Sequence, residues 1–208
     1  MTTRRAAGLA LIAYGLGTFF AFAPNSPGGD YSDAAVATFV SHGHMWAAFT
    51  SAYLGIFSAL ALLVFGLGLR DEVGSLRDAF FALTVVGATA SMVGFFLSGG
   101  VAVSMAEGGV IVRSGVPHPV VYTLTETGNL LSVCAPALCV GIAGLMLVRR
   151  AELAGWLKVA TVVAAGCGIL APFYFTYLVY LVWVLVFGGM LALRRAPASA
   201  PQAQTSLV

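Results

Sequence analysis

An all-α fold, a polytopic bundle of six transmembrane helices with both termini in the cytoplasm, is what this sequence predicts, on three observations. First, 60% of the 208 residues are hydrophobic and 9% are charged, with a mean hydropathy of +0.96. That balance belongs to membrane proteins and excludes a soluble globule. Second, six apolar runs, at about 6–23, 45–69, 79–105, 120–148, 155–171 and 173–193, each approach the roughly 20 residues that cross a hydrocarbon core. Residues 1–195 therefore read as one transmembrane domain. Third, six crossings from a cytoplasmic N-terminus put Arg4, Arg5, Arg70, Arg77, Arg149, Arg150, Lys158, Arg194 and Arg195 inside and leave Arg113 outside. This asymmetry satisfies the positive-inside rule. The net charge of +2 is thus a set of helix-end markers rather than a nucleic-acid patch. The expected location is the plasma membrane, with membrane lipids as partners and no nucleic acid; a homo-oligomer is compatible with the pattern.

Span one follows "MTTRR" and ends in "AFA", the outline of a signal peptide with a small-residue cleavage site. Pro24 comes next and hinders cleavage, so a retained helix is expected. The turn-rich "APNSPGGD" stops it. In "YSDAAVATFVSHGH", Ser32 can cap a helix, and Ala35, Val36, Phe39 and Val40 recur at helical spacing. A short amphipathic helix on the outer membrane surface between spans one and two is predicted there.

Span two opens at Met45, with Trp46 suited to the headgroup layer, and "RDEVGSLRD" makes a tight cytoplasmic turn into span three. Ala47, Ser51 and Gly55 in span two, and Gly87, Ser91, Gly94 and Ser98 in span three, are small-residue faces that let helix backbones approach closely. Pro136 is a candidate kink in span four, and Pro172 breaks the chain between spans five and six, which must form an antiparallel hairpin. Cys134, Cys139 and Cys167 all fall in spans and read as small core residues. The Ala/Pro/Gln/Ser-rich tail, 196–208, is expected to be disordered.

One stretch is anomalously polar: "HPVVYTLTETGNLL", residues 118–131, at the outer start of span four. A carboxylate near the bilayer is costly and tends to face a bundle interior or a wet cavity. On a helix Tyr122, Glu126, Asn129 and Val133 share one stripe, with Thr125 and Ser132 beside it. Counting back about 20 residues from Arg149 puts the hydrocarbon boundary near Asn129. Two readings of Glu126 stay open, a pocket residue and an interfacial carboxylate paired with Arg113.

Span six carries Phe173, Tyr177, Tyr180 and Phe187 on one approximate face, with Tyr174 and Trp183 beside it. Such a stripe serves packing, or, where spans four and six adjoin, one wall of an outer cavity. In that case Tyr122, Asn129, Ser132, Tyr177 and Tyr180 would bind the ligand. His42 and His44 in "HGHM", and His118, are also extracytoplasmic. Imidazole with the Met45 thioether would suit copper, and with carboxylates zinc. The spacing supplies no third ligand, so no metal or cofactor is assigned and the three histidines stand as candidates alone.

Four segments, "RAAGLALIAYGLGTFF", "DAAVATFVSHGHMWAAFTSAYLGIFSALALLVFGLGLRD", "TETGNLLSVCAPALCVGIAGLML" and "YLVYLVWVLVFGGMLALRR", together resemble a large group of small uncharacterised six-helix bacterial membrane proteins. The resemblance implies a fold and no activity. Two functions are therefore expected as alternatives. One is a protein that binds, or helps to move, a lipid or small hydrophobic molecule through an outer-leaflet pocket. The other is a membrane enzyme such as an acid-catalysed cyclase or isomerase of an isoprenoid-like substrate. There Glu126 would be the catalytic general acid, Asn129 and Tyr122 would orient it, and the span-six aromatics would stabilise a developing cation.

Overall fold

The computed structural model describes residues 3–22, 45–105, 118–150, 153–173 and 175–193. The predicted surface helix near 32–40, the tail 196–208, and His42, His44, Arg113 and Tyr174 lie outside the described residues. The described residues are helical: α1 (Thr3–Phe22), α2 (Met45–Leu69), α3 (Arg77–Met105), α4 (His118–Asn129), α5 (Ala135–Arg150), α6 (Gly155–Ile169) and α7 (Phe175–Leu193). A π-helical turn, Leu130–Cys134, joins α4 to α5, so these three pieces make up the single run read as span four.

Four of the described stretches are long and apolar enough to cross a membrane: Thr3–Phe22, Phe49–Val101, Pro119–Arg149 and Phe175–Leu193. The second is itself a hairpin. Its halves α2 and α3 are joined by the 3-10 turn Arg70–Leu76, where the chain reverses at Gly74 with φ of +58°. Glycine takes that left-handed conformation without the steric cost of a Cβ. Gly55 then packs on Phe95 and Gly66 on Thr84, so the two legs run antiparallel. α6 is shorter than the expected 155–171 run: its 15 residues rise about 22 Å, less than the roughly 30 Å hydrocarbon core.

The helices close into a ring. α1 lies between α2 and α7, α3 between α2 and the α4–α5 run, and α6 between α5 and α7. Contacts between neighbours are antiparallel throughout: Gly17 meets Ser58, Gly68 meets Ala7, Gly8 meets Gly188, Gly141 meets Ala165 and Gly168 meets Ala137. In lipid an apolar side chain gains little by leaving acyl tails for another helix, so close backbone packing carries the association. Gly8 and Gly188 show it plainly, because a Cβ on Gly8 would lie 2.5 Å from the Gly188 carbonyl oxygen. Leu11, Tyr14, Leu62, Phe65, Val133, Ala137, Tyr180 and Val184 belong to the core that fills the ring.

This up-and-down path gathers the start of α1, the Arg70–Leu76 turn, the end of α5, the start of α6 and the end of α7 at one end of the bundle. Arg4, Arg5, Arg70, Arg77, Arg149 and Lys158 are therefore neighbours in space, as their spacing in the sequence predicts. A link that the sequence did not suggest closes that end. Arg4 donates from Nε to Glu72 Oε1 at 2.6 Å and from Nη2 to Oε2 at 2.8 Å, a two-pronged pair tying α1 to the α2–α3 turn.

Candidate functional site

Helix lengths shape the opposite end, away from the arginines. α1 and α7 have 20 and 19 residues and rise about 30 Å and 28 Å. α3, with 29 residues, rises about 43 Å. All three start or stop at the arginine-rich end, so the excess of α3 stands above the ends of α1 and α7, and the contacts fix the levels. Gly17 meets Ser58, which sets Phe22 level with Tyr53; Gly55 meets Phe95, and Ser98 meets Gly128. Asn129 is thus level with the end of α1. The α6–α7 tip lies lower still, near Val133, because Gly168 meets Ala137. Among the described residues this end is a step, with α4 as part of its wall and the α6–α7 tip as its floor.

The described residues of the floor are apolar. Its turn, Ala171–Phe173, is flanked by Leu170 and, beyond Tyr174, by Phe175, and Phe173 and Phe175 are 70% and 86% exposed. No charged residue occurs between Lys158 and Arg194. Two of its backbone N–H groups are met from within: Leu170 N–H donates to Gly166 O and Phe173 N–H to Leu170 O. Thr176 Oγ1 donates to Leu170 O as well, and Pro172 has no N–H to satisfy. A turn that keeps its hydrogen bonds internal is the form irregular backbone must take in an apolar layer.

The wall carries the polar stripe. Asn129 is 2% exposed and Val133 equally buried, Glu126 is half-buried, and Tyr122 is 39% exposed. Burial falls along the stripe toward the start of α4, where the described α1, α6 and α7 have stopped and α4 continues. Asn129 Nδ2 donates to Glu126 Oε1 at 3.4 Å, using the i, i+3 adjacency of a helix face. Ser132 Oγ donates to Asn129 O. The hydroxyls that made this stretch look functional are mostly spent locally. Thr123, Thr125 and Thr127 each donate to the carbonyl four residues earlier, the usual fate of a mid-helix threonine.

Beneath the stripe the helix changes its winding. Ala135 N–H bonds to Leu130 O, five residues back, in the π-turn. Pro136 follows, and its missing N–H deprives the Ser132 carbonyl of its α-helical donor. Ser91 Oγ of α3 donates to that carbonyl at 3.2 Å instead. Such a side-chain repair of a broken ladder is how membrane helices tolerate proline. Of the predicted small-residue face on α3, Gly87 packs on Pro136 and Cys139, Gly94 on Gly128 and Ser132, and Ser98 on Gly128. The Ser51 and Ser98 hydroxyls are buried with no hydrogen-bond partner among the described residues.

Tyr177 and Tyr180 belong to a different layer. Tyr177, Tyr180, Trp183 and Phe187 form a buried series along α7, with successive ring centroids 5.8, 6.2 and 5.0 Å apart. Trp183 Nε1 donates to Thr161 Oγ1 at 3.1 Å, and the Tyr180 and Tyr14 hydroxyls stand 3.5 Å apart. Phe173, expected on this face, sits on the exposed tip instead. Between the α5 and α7 parts of the fourth and sixth runs stands α6, and Trp183 reaches Gly144 of α5 with its ring. Tyr177 and Tyr180 therefore lie at and below the floor, and Tyr122, Glu126 and Asn129 rise above it.

His118 opens α4, and among the described residues no group of three histidines, cysteines or carboxylates could hold a metal ion. Cys134 and Cys139 are buried and Cys167 half-buried, all as free thiols. No family model, curated protein or solved structure matches the chain.

Proposed function

We propose that this chain is a six-span integral protein of the plasma membrane, with both termini in the cytoplasm, that holds a lipid or small hydrophobic molecule on its outer step. The observation that carries this reading is the juxtaposition of a half-buried carboxylate with an exposed, charge-free apolar floor below it. An amphiphile needs that pairing of surfaces, one for each of its ends. The orientation follows the cluster of basic residues, which favours the cytoplasmic face.

Depth supports it as well. With the Arg4 and Arg149 layer taken as the inner boundary, about 30 Å of hydrocarbon reaches the level of Phe22 and Asn129. The α6–α7 tip then lies just beneath the outer headgroups, within reach of acyl chains, and Glu126 stands among the headgroups. Six crossings include α6, whose short rise suits a tip where Leu170, Phe173 and Phe175 are apolar and exposed and the Leu170 carbonyl accepts from Phe173 N–H and Thr176 Oγ1.

Native mass spectrometry of the full chain, gently extracted in detergent, tests the reading. A lipid-sized adduct should survive purification, and Phe173→Ser, which roughens the floor, should lower its occupancy. An unmodified protein that carries no lipid contradicts the proposal.

A further inference from the structure

The lipid-facing side of the α5–α6 pair carries a second surface, independent of the step at the other end. We propose that it holds one anionic phospholipid of the leaflet that meets the arginine-rich end, with the phosphate between Arg149 and Lys158 and an acyl chain along the groove that runs from them to Gly166.

Register brings the two basic residues together. Gly141 meets Ala165, Gly144 meets Thr161 and Gly168 meets Ala137, so α5 and α6 run antiparallel in close contact. Arg149 lies five residues beyond Gly144 and Lys158 three residues before Thr161, a difference in height of about 3 Å. Helical spacing puts them on one side of the pair. Leu138, Leu145 and Arg149 follow one another on α5, and Lys158, Val162 and Gly166 on α6. Leu138, Arg149, Val162 and Gly166 are exposed, and Leu145 and Lys158 half-buried. The opposite side of the pair, with Leu147 and Leu157, belongs to the core.

The charge of this corner is positive. Glu72 is taken by Arg4, Asp71 by Arg70 and Asp78 by Arg77, and neither Arg149 nor Lys158 has an acidic partner among the described residues. The link between α5 and α6 holds one acid, Glu152, beside Arg149, Arg150 and Lys158, so the excess is basic wherever Glu152 stands. α7 neighbours α6 and ends directly before Arg194 and Arg195, which add to it. Lys158 also sits in the first turn of α6, where a positive charge opposes the helix dipole. That turn contains no acid, and its N-cap residue, Ala154, makes no side-chain cap. An anion between Lys158 and Arg149 offsets this conflict, and the Arg149 guanidinium matches two phosphate oxygens at once.

Below the basic pair the groove suits a chain. No charged residue follows Lys158 on α6 or precedes Arg149 on α5. A Cβ on Gly166 would meet nothing within 4 Å, which leaves a recess between the side chains that flank it. The recess lies about 12 Å from Lys158 along α6, inside the roughly 15 Å of hydrocarbon that one leaflet contributes. Basic pockets between membrane helices with apolar walls beneath them are the form that anionic headgroups select.

The test reconstitutes the full chain into bilayers with equal amounts of glycerol, ethanolamine and choline phospholipids of identical acyl chains, extracts it in mild detergent, and identifies the retained lipid by native mass spectrometry. The unmodified protein should keep the anionic glycerol lipid about tenfold over the two zwitterionic ones, an excess within reach of two basic side chains at a membrane surface. Replacing both, Arg149→Gln with Lys158→Gln, should bring the three lipids to parity. Gly166→Leu, which fills the recess, should lower retention of the glycerol lipid; a free phosphate ion, having no chain, would be indifferent to it. Arg5→Gln, at the same end on α1, and Phe173→Ser, on the floor of the step, should leave the preference unchanged. Equal retention by the unmodified protein overturns the site, as does a preference that survives the double substitution. A preference lost equally in Arg5→Gln belongs to the whole basic end, and one lost in Phe173→Ser belongs to the step; either result overturns the assignment to α5 and α6. The unmodified protein and Gly166→Leu decide the question even where the double variant fails to fold.

Discussion

Replacing Gly94 with leucine collapses the folded state: in a detergent thermal-stability assay the variant loses about 3 kcal/mol or more, the upper end of what overpacking costs. A Cβ there would lie 2.5 Å from the Gly128 carbonyl oxygen and 2.8 Å from Ser132 Cα. Both are backbone atoms of the wall and cannot swing aside as a side chain could. To admit the leucine, α3 must move off α4, which breaks the Ser91 to Ser132 hydrogen bond and leaves the carbonyl freed by Pro136 without a donor. Gly166→Leu is the control. It adds the same side chain on the exposed face of α6, where a Cβ meets nothing within 4 Å, and its effect should stay within about 0.5 kcal/mol, as for other surface changes. Equal tolerance of both substitutions contradicts the close α3–α4 contact.

Tyr180→Ala is the second large effect, a loss of about 3–5 kcal/mol typical of deleting a buried aromatic ring. Tyr180 is fully buried between Tyr177 and Trp183 and against Gly168, so the cavity left behind forfeits dispersion contacts on several sides. Its hydroxyl contributes much less. The 3.5 Å to Tyr14 is at the long limit for a hydrogen bond, and inter-helix polar contacts in membranes average about 0.6 kcal/mol. Tyr180→Phe should therefore melt within about 0.6 kcal/mol of the unmodified protein. A phenylalanine variant as unstable as the alanine one shows that the hydroxyl pair, rather than ring packing, holds α7 to α1.

The helical architecture was legible because hydropathy reports it directly. The small-residue face on α3 was legible too, since Gly87, Ser91, Gly94 and Ser98 recur at helical spacing, although its partners Gly128 and Ser132 depend on which helix comes to lie beside it. Pro136 marked a disturbance in span four but gave no sign that the helix would answer with a π-turn one residue upstream of Ala135. The polar run at 118–131 misled in part. Thr123, Thr125 and Thr127 bond to their own helix, and Glu126 and Asn129 bond to each other. Tyr122, Tyr177 and Tyr180 read as one ligand set, but relative helix height separates the first from the other two. The step arises from differences in helix length combined with tertiary register, which no local pattern encodes. Its one sequence trace was the charge-free stretch through "LAPFYF" between Lys158 and Arg194.

The central claim is that the Glu126 step faces out of the cell and the basic end faces in. It is tested most directly by labelling single cysteines in intact cells with a membrane-impermeant maleimide, in a background where Cys134, Cys139 and Cys167 are replaced by alanine. Thr123→Cys, exposed on α4 close to Glu126, should label in intact cells. Ser75→Cys, exposed in the α2–α3 turn, should label only after the membrane is permeabilised. The reverse pattern, with Ser75→Cys labelled from outside and Thr123→Cys protected, contradicts it.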